Sequence, residues 1–219
     1  MITTMSANPP DALLFITPGC PHCPAVLQGL SDMVKQATIG KLTVVNAAAH
    51  PELAEQYGVR AAPWLRLGPF ILTGAQSPAE LRQWVEWSNG DEGVAHYVEH
   101  LLNEGGFKQA GLFIAEDTQR LKPLLAIVAN PEKSIEVRVG VDALLEAYSN
   151  KPPLQNLLPQ LTELTRHADH RVRADACNLL GLSGSAAARP VVAGCLQDSS
   201  DEVREIAAES LALLDHLEN

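Results

Sequence analysis

The clearest chemical signal in this chain is a pair of cysteines separated by two residues, in the segment Cys20-Pro21-His22-Cys23. A thiol attacks a disulfide only as the thiolate, and a free cysteine with a pKa of about 8.5 is mostly protonated near neutral pH. A helix N-terminus beside Cys20 would stabilise the thiolate through its N–H groups and its dipole, and His22 would add a hydrogen-bond donor. The pattern predicts thiol–disulfide exchange, with Cys20 attacking and Cys23 resolving the mixed disulfide.

The segments on either side of the pair predict a strand followed by a helix. Residues 12–16 (ALLFI) are continuously apolar, which is typical of a strand buried on both faces. After Cys23, apolar residues recur at helical spacing, at Val26, Leu27, Leu30, Met33 and Val34. Cys20 is therefore expected at or next to the helix N-terminus. Pro21 is expected in the first turn, where a missing N–H is not needed.

A zinc site is the main alternative for two cysteines at this spacing. Structural zinc needs four ligands, and the sequence has no second C-x-x-C and no Cys/His pair at the spacing of a zinc finger. The strand before the pair and the helix after it favour the redox interpretation.

Further elements are predicted up to a boundary at Asn89-Gly90-Asp91. Ser77 and Glu80 form a capping-box pattern at the start of a helix, and Gly58 is expected to end an earlier one. The predicted elements are strands over 42–45, 64–67 and 70–73 and helices over 51–57 and 78–87. The strand over 42–45 is expected to lie parallel to the first, and the last two strands are expected to form a hairpin.

Residues 11–88 resemble the thioredoxin superfamily. The resemblance depends on Cys-Pro-His-Cys after a buried strand and on the segment Gly58-Val59-Arg60-Ala61-Ala62-Pro63 further along the chain. It implies a thioredoxin fold in which Pro63 is cis and faces the dithiol, while the backbone of Ala62 pairs with the substrate. Pro-His within the motif is also found in a strongly oxidising periplasmic member. The surrounding residues are more similar to glutaredoxin-like units of archaeal protein disulfide oxidoreductases and of alkyl hydroperoxide reductase flavoproteins.

Two positions depart from the thioredoxin pattern. Leu14 stands where thioredoxins have a buried carboxylate that accepts the proton of the resolving thiol. In this chain His22, water or another route must accept that proton. Gly19 replaces the usual aromatic residue before the first cysteine. Trp64 is a candidate aromatic surface for the substrate in its place, although packing in the core is the favoured alternative. These departures leave the direction of electron flow open.

Beyond residue 106 the sequence predicts repeated helical hairpins. Three segments pair a proline with a later Val-Arg: Pro123 with Val137-Arg138, Pro159 with Val172-Arg173, and Pro190 with Val203-Arg204. Such hairpins bury their apolar faces against their neighbours. The pattern resembles short HEAT repeats over residues 107–217. In HEAT-like stacks such arginines usually bond acidic residues of adjacent turns, and we favour this structural role over a row of ligand-binding arginines.

Two other groups of residues invite a chemical interpretation. His96, Glu99 and His100 match the H-x-x-E-H pattern of inverzincin metalloproteases, but surface histidines on a linker helix explain this short match better. Cys177 and Cys195 lie among apolar helix positions, and buried small side chains are favoured over a second redox pair.

Charge and hydropathy limit the possible partners. The chain has 219 residues and a net charge of −10, of which residues 1–88 contribute −1 (5 Lys/Arg against 6 Asp/Glu) and the remainder −9 (11 against 20). An acidic protein has little attraction for phosphate backbones, so we expect no nucleic-acid partner. The sequence contains no tract of about 18 apolar residues, so it predicts no membrane span. The start, MITTMSANPPD, lacks the features of a secretory signal, so a cytoplasmic location is expected.

The sequence therefore predicts an α/β thioredoxin-like domain over residues 1–90, a linker or capping helix over 91–106, and an all-α HEAT-like solenoid of about three hairpins over 107–219. The expected function is a thiol–disulfide oxidoreductase acting on protein substrates, with a partner protein on the repeats. No cofactor is expected besides a redox-active Cys20–Cys23 disulfide, and glutathione or a thioredoxin reductase-type protein is a possible electron donor. The alternatives are a redox-sensing adaptor or scaffold and a purely structural protein with a vestigial motif.

Overall fold

The computed structural model of the chain describes residues 9–88 and 90–217. The expectation that the chain lacks a secretory signal depends mainly on residues 1–8, which lie outside the described residues. Asn89 of the predicted boundary also lies outside them. The chain forms two compact units that divide between Gly93 and Val94.

The first unit contains a four-stranded mixed sheet in the order β2-β1-β3-β4. β1 pairs parallel with β2 and antiparallel with β3, which forms an antiparallel hairpin with β4. The central strand is buried on both faces, because Leu14 and Phe15 point to opposite sides and both are 0% exposed. The strands are β1 (Ala12–Ile16), β2 (Leu42–Asn46), β3 (Trp64–Leu67) and β4 (Phe70–Thr73). All four confirm the sequence prediction.

Three helices complete the first unit: α1 (Cys23–Lys35), α2 (Pro51–Gln56) and α3 (Pro78–Trp87). The predicted capping box at α3 is confirmed. Ser77 Oγ accepts a hydrogen bond from the Glu80 N–H at 3.2 Å, and the Glu80 carboxylate accepts one from the Ser77 N–H at 2.7 Å. These bonds hold the pKa of Glu80 below its usual value. After α2, Gly58 adopts a left-handed φ of 66°, which explains why that helix ends there.

The second unit is helical throughout the residues that the structure describes. Its helices are α4 (Asp91–Asn103), α5 (Phe107–Glu116), α6 (Leu121–Val128), α7 (Ile135–Glu146), α8 (Pro152–Gln155), α9 (Leu158–Leu164), α10 (His170–Leu182), α11 (Arg189–Cys195) and α12 (Asp201–Leu217), of which α4 begins three residues before the division. The three predicted hairpins are α6/α7, α9/α10 and α11/α12. The short helix α8 and the 3₁₀ turns Thr118–Arg120 and Ala186–Ala188 were not predicted.

Helix α10 lies at the centre of the hairpins. It packs against α12, α9, α11, α7 and α6. Its contact with α12 is unusually close, because a Cβ atom on Gly181 would lie only 2.5 Å from Ser210 Cβ. The valines of the three Val-Arg pairs are at most 1% exposed. The second helix of each hairpin therefore buries the apolar face that the sequence predicted.

Among the described residues no helix is both long and apolar enough to cross a membrane.

Candidate functional site

A tight turn connects β1 to the cysteine pair. In the segment Thr17-Pro18-Gly19-Cys20, the Cys20 N–H donates to the Thr17 carbonyl at 3.3 Å, and Gly19 has a φ of 78°. Proline followed by glycine with a positive φ is the signature of a type II turn. Sequence reasoning treated Gly19 as a missing aromatic residue and overlooked this role, although the Pro-Gly dipeptide was a sufficient signal.

The turn brings Cys20 to the start of α1, where it forms a disulfide with Cys23. The two sulfurs are 2.13 Å apart and the two Cα atoms 5.5 Å apart. The Cys23 N–H, at the first position of α1, donates to Cys20 Sγ at 3.1 Å. Cys23 is only 5% exposed, whereas Cys20 is partly exposed. An attacking partner can therefore reach Cys20 more easily than Cys23.

The two residues between the cysteines lie outside the helix body. His22 is the N-cap residue of α1, but its exposed side chain makes no capping hydrogen bond. The expectation that Pro21 belongs to the first helical turn was wrong, because α1 begins at Cys23 and the proline in that turn is Pro24. Pro21 is exposed, and its ring restricts the backbone between Cys20 and His22.

The peptide bond between Ala62 and Pro63 is cis, as the resemblance implied. Because β1 and β3 are antiparallel with Phe15 opposite Trp64, the chain entering β3 runs beside the chain leaving β1 toward Cys20. The Pro63 carbonyl accepts a hydrogen bond from the Gly74 N–H at 3.0 Å. Within residues 9–88 and 90–217, no hydrogen bond engages the N–H or carbonyl of Ala62.

Trp64 belongs to the core and does not offer a surface to a substrate. Its side chain is 4% exposed and packs edge-on against Phe15, with ring centroids 5.5 Å apart, and against Tyr57 at 6.0 Å. This burial agrees with the favoured interpretation that Trp64 packs in the core, and it counts against the other candidate role, an aromatic surface for the substrate in place of position 19. The register of β3 against β1 turns the indole ring toward α2 and its neighbours, where the cluster also includes Ala54.

The position of the thioredoxin carboxylate is fully apolar in this protein. Leu14 is 0% exposed and lies opposite Val44 on β2 and Leu65 on β3. The Leu14 side chain therefore offers no group that could accept a proton.

The H-x-x-E-H segment on α4 is structural. Both carboxylate oxygens of Glu99 accept hydrogen bonds from Lys133 Nζ at 2.7 Å, so the only acidic residue of the segment is engaged by a lysine. Across the described part of the chain, no group of three or more His, Cys, Asp or Glu side chains is placed to hold a metal ion.

The arginines of the three Val-Arg pairs form structural ion pairs, which confirms the favoured interpretation. Arg138 on α7 bonds Asp175 on α10 at 2.5 Å, and Arg173 on α10 bonds Asp198, which follows α11, at 2.7 and 2.8 Å. Arg204 on α12 forms its ion pair with Asp201 in the first turn of the same helix, and it also donates to the Asp198 carbonyl at 2.6 Å. The bonds from Arg173 lower the pKa of Asp198 to about 2. Each arginine therefore joins its helix to a neighbouring element.

Cys177 on α10 and Cys195 on α11 are buried free thiols, at 0% and 8% exposure. This agrees with their expected packing role.

Two family models match the chain. One, described as a thioredoxin domain, matches residues 13–86, and the other, described as HEAT repeats, matches residues 121–215. The chain is thus a thioredoxin-like domain fused to a HEAT-like helical region. No curated protein matches it.

Proposed function

We propose that this protein is a thiol–disulfide oxidoreductase that acts on protein substrates through Cys20 and Cys23. The observation that carries the proposal is the hydrogen bond from the Cys23 N–H to Cys20 Sγ at 3.1 Å. In the reduced protein the same N–H and the N-terminal end of the 13-residue helix α1 would stabilise a thiolate on Cys20. The partial exposure of Cys20 and the burial of Cys23 support their assignment as attacking and resolving thiols.

The exchange proceeds in two balanced steps. The Cys20 thiolate attacks one sulfur of a client disulfide, forms a mixed disulfide and releases one client thiolate. Cys23 then loses its proton and attacks Cys20 Sγ, which forms the Cys20–Cys23 disulfide and releases the second client thiolate. Two electrons pass to the client, and the reverse sequence oxidises a client dithiol. Because Leu14 cannot accept the proton of Cys23, water or the exposed His22 imidazole accepts it. Glutathione or a reductase-type protein would supply electrons.

The client chain binds beside Ala62 and Pro63. The N–H and carbonyl of Ala62 engage no other group within the described residues, so they can pair with an extended client segment. The path of this segment beside the end of β1 would bring a client disulfide toward Cys20. Trp64 takes no direct part, since its side chain is buried.

The helical repeats bind a partner protein. Ile135 and Val139 lie one turn apart on α7 and are 72% and 61% exposed, which is unusual for large apolar side chains. The exposed Glu136 directly follows Ile135 in sequence, so a partner segment with apolar side chains and a flanking lysine or arginine would fit.

Repeated turnover is the decisive test of enzymatic function. The protein should reduce a model protein disulfide many times when supplied with excess reductant, and Cys20→Ser should abolish this reaction. Cys23→Ser should accumulate a mixed disulfide, because Cys20 still attacks but nothing resolves the product. The double variant Cys177→Ala/Cys195→Ala is the matched control and should retain turnover. Full turnover by Cys20→Ser would refute the proposal.

A redox-sensing adaptor is the second candidate, and the exposed Ile135 and Val139 favour it. In that case the repeats do the work, and the dithiol reports redox state or holds one client. Such a protein would react once per dithiol and stop even with reductant in excess, whereas binding of its partner would differ between the oxidised and reduced forms.

A further inference from the structure

One face of α7 carries a stripe of four residues that are open to solvent in different degrees. Residues at i, i+4, i+7 and i+11 of a helix share one face, and on α7 these positions hold Ile135, Val139, Asp142 and Glu146, which form the α7 stripe. The two apolar side chains are 72% and 61% exposed, Glu146 is exposed, and Asp142 is partly exposed. The α7 stripe therefore presents an apolar half followed by an acidic half.

The equivalent stripe on α10 is covered by a helix. The Val-Arg pairs give α7 and α10 a common register, in which the α7 stripe corresponds to His170, Ala174, Cys177 and Gly181. The last three of these residues are buried. A Cβ atom on Gly181 would lie 2.5 Å from Ser210 Cβ, so this face of α10 packs closely against α12. The same face is thus a helix-packing surface that is occupied on α10 and open on α7.

The acidic half of the α7 stripe would be stabilised by an added cation. Asp142 and Glu146 lie one turn apart, where like charges repel, and neither carboxylate forms a hydrogen bond or a salt bridge with another described residue. Arg138, one turn before Asp142, bonds Asp175 on α10 instead. Burial and then the charge of Asp175 raise the pKa of Asp142. The chain beyond residue 88, with its net charge of −9, adds to the attraction for a basic partner.

We propose that the α7 stripe binds an amphipathic helix of a partner protein, with its apolar side chains against Ile135 and Val139 and its lysines or arginines against Asp142 and Glu146. The partner segment is a helix because the equivalent face of α10 packs against a helix. It is basic because the second half of the stripe is acidic. This inference rests on the binding of a partner by the repeats proposed above, and it states the chemistry of that partner.

The test uses the full chain with Cys20→Ser and Cys23→Ser, so that no mixed disulfide can capture a peptide. A random peptide library displayed on phage is selected on this parent protein and then depleted on the same protein carrying Ile135→Ala and Val139→Ala. Because both side chains are exposed and alanine favours a helix, the depleting variant should stay folded, which circular dichroism verifies. The enriched peptides should carry apolar residues at helical spacing, followed or preceded by lysine or arginine.

Synthetic copies of the enriched peptides then measure what each half of the stripe contributes. The helicity of the peptides should rise on binding. Ile135→Ala/Val139→Ala should weaken binding at least about tenfold, because two apolar contacts are lost. Asp142→Asn/Glu146→Gln should weaken binding about three- to tenfold at low salt and make it less sensitive to added salt.

Leu112→Ala and Glu205→Gln are the matched controls, since they change an exposed apolar side chain on α5 and an exposed carboxylate on α12. Both should bind the peptides as tightly as the parent does. The proposal is overturned if no peptide depends on the α7 stripe, or if the dependent peptides are acidic or gain no helicity. Peptides that bind parent and depleting variant equally would leave partner binding by the repeats standing and refute only the stripe. Because Cys20 and Cys23 are absent, no outcome depends on the oxidoreductase function proposed above.

Discussion

Arg173 on α10 holds the carboxylate of Asp198 with two hydrogen bonds, from Nε at 2.7 Å and from a terminal nitrogen at 2.8 Å. Both side chains are nearly buried, at 13% and 12% exposure. The same guanidinium donates to the carbonyls of His167 and Ala168, each at 3.0 Å, so one side chain joins the loop before α10 to the residues after α11.

Arg173→Met is therefore expected to destabilise the second unit by about 3 kcal/mol, because it leaves a nearly buried carboxylate without its partner. The measurement is urea unfolding followed by helical circular dichroism. Arg166→Met is the matched control, because the pair of Arg166 and Glu163 is 71% and 72% exposed and should contribute less than about 1 kcal/mol. Equal losses in the two variants would contradict this assignment.

Asp142 on α7 should make stability depend on pH. Burial, followed by the charge of Asp175, raises its pKa to about 6, while Arg138 opposes the shift and Glu146 adds to it. The folded state keeps a proton that the unfolded state has released, so stability falls as the pH rises from about 4 to about 6 and stays reduced above that range.

Asp142→Asn should remove this slope and raise the free energy of unfolding at pH 8 by up to about 3 kcal/mol, while changing it little near pH 4. Urea unfolding across this pH range provides the measurement. Glu146→Gln removes an exposed carboxylate on the same helix and should leave the slope largely intact. An unchanged slope in Asp142→Asn would show that other groups cause the pH dependence.

Gly19→Ala should both destabilise the first unit and slow thiol exchange. A side chain at φ 78° costs about 1 kcal/mol, and relief of this strain would move Cys20 away from the Cys23 N–H. The measurements are unfolding by urea and the rate of disulfide reduction. Gly105→Ala is the matched control, since Gly105 has a φ of 72° and also lacks neighbours within 4 Å of a new Cβ atom, but it lies in the second unit. The Gly105→Ala variant should lose a similar free energy of unfolding and keep the rate of disulfide reduction unchanged.

His22→Ala should make the Cys20–Cys23 couple more reducing. If the imidazole stabilises the Cys20 thiolate, its removal destabilises the reduced form and shifts the equilibrium constant with glutathione by about three- to tenfold. Thiol alkylation in glutathione buffers measures this constant. His50→Ala changes another exposed histidine of the same unit, and its equilibrium should match that of the unaltered protein. No shift in His22→Ala would mean that the backbone alone stabilises the thiolate.

The features that the sequence predicted well are local ones. Ser77 and Glu80 lie three residues apart, so their capping box depends on a single helical turn, and the strand ending at Ile16 follows from its own apolar residues. The Val-Arg pairs were equally recognisable in the sequence, because each recurs 13 or 14 residues after a proline.

The features that the sequence did not predict depend on packing between distant segments. The register of β3 against β1 places Trp64 opposite Phe15 and so determines which face of the sheet Trp64 lies on. The residue types alone do not predict this register. The wrong placement of Pro21 had another cause. Pro21 and Pro24 both suit the start of a helix, and the one in the first turn of α1 is Pro24.

The central position of α10 determines how the second unit can open. Because five other helices pack against α10, exposing its backbone requires separating most of the hairpins at once. The hairpins are then not independent modules that fray one by one from the end, as in longer repeat arrays. A protease or a chaperone would therefore meet the second unit in an all-or-none manner.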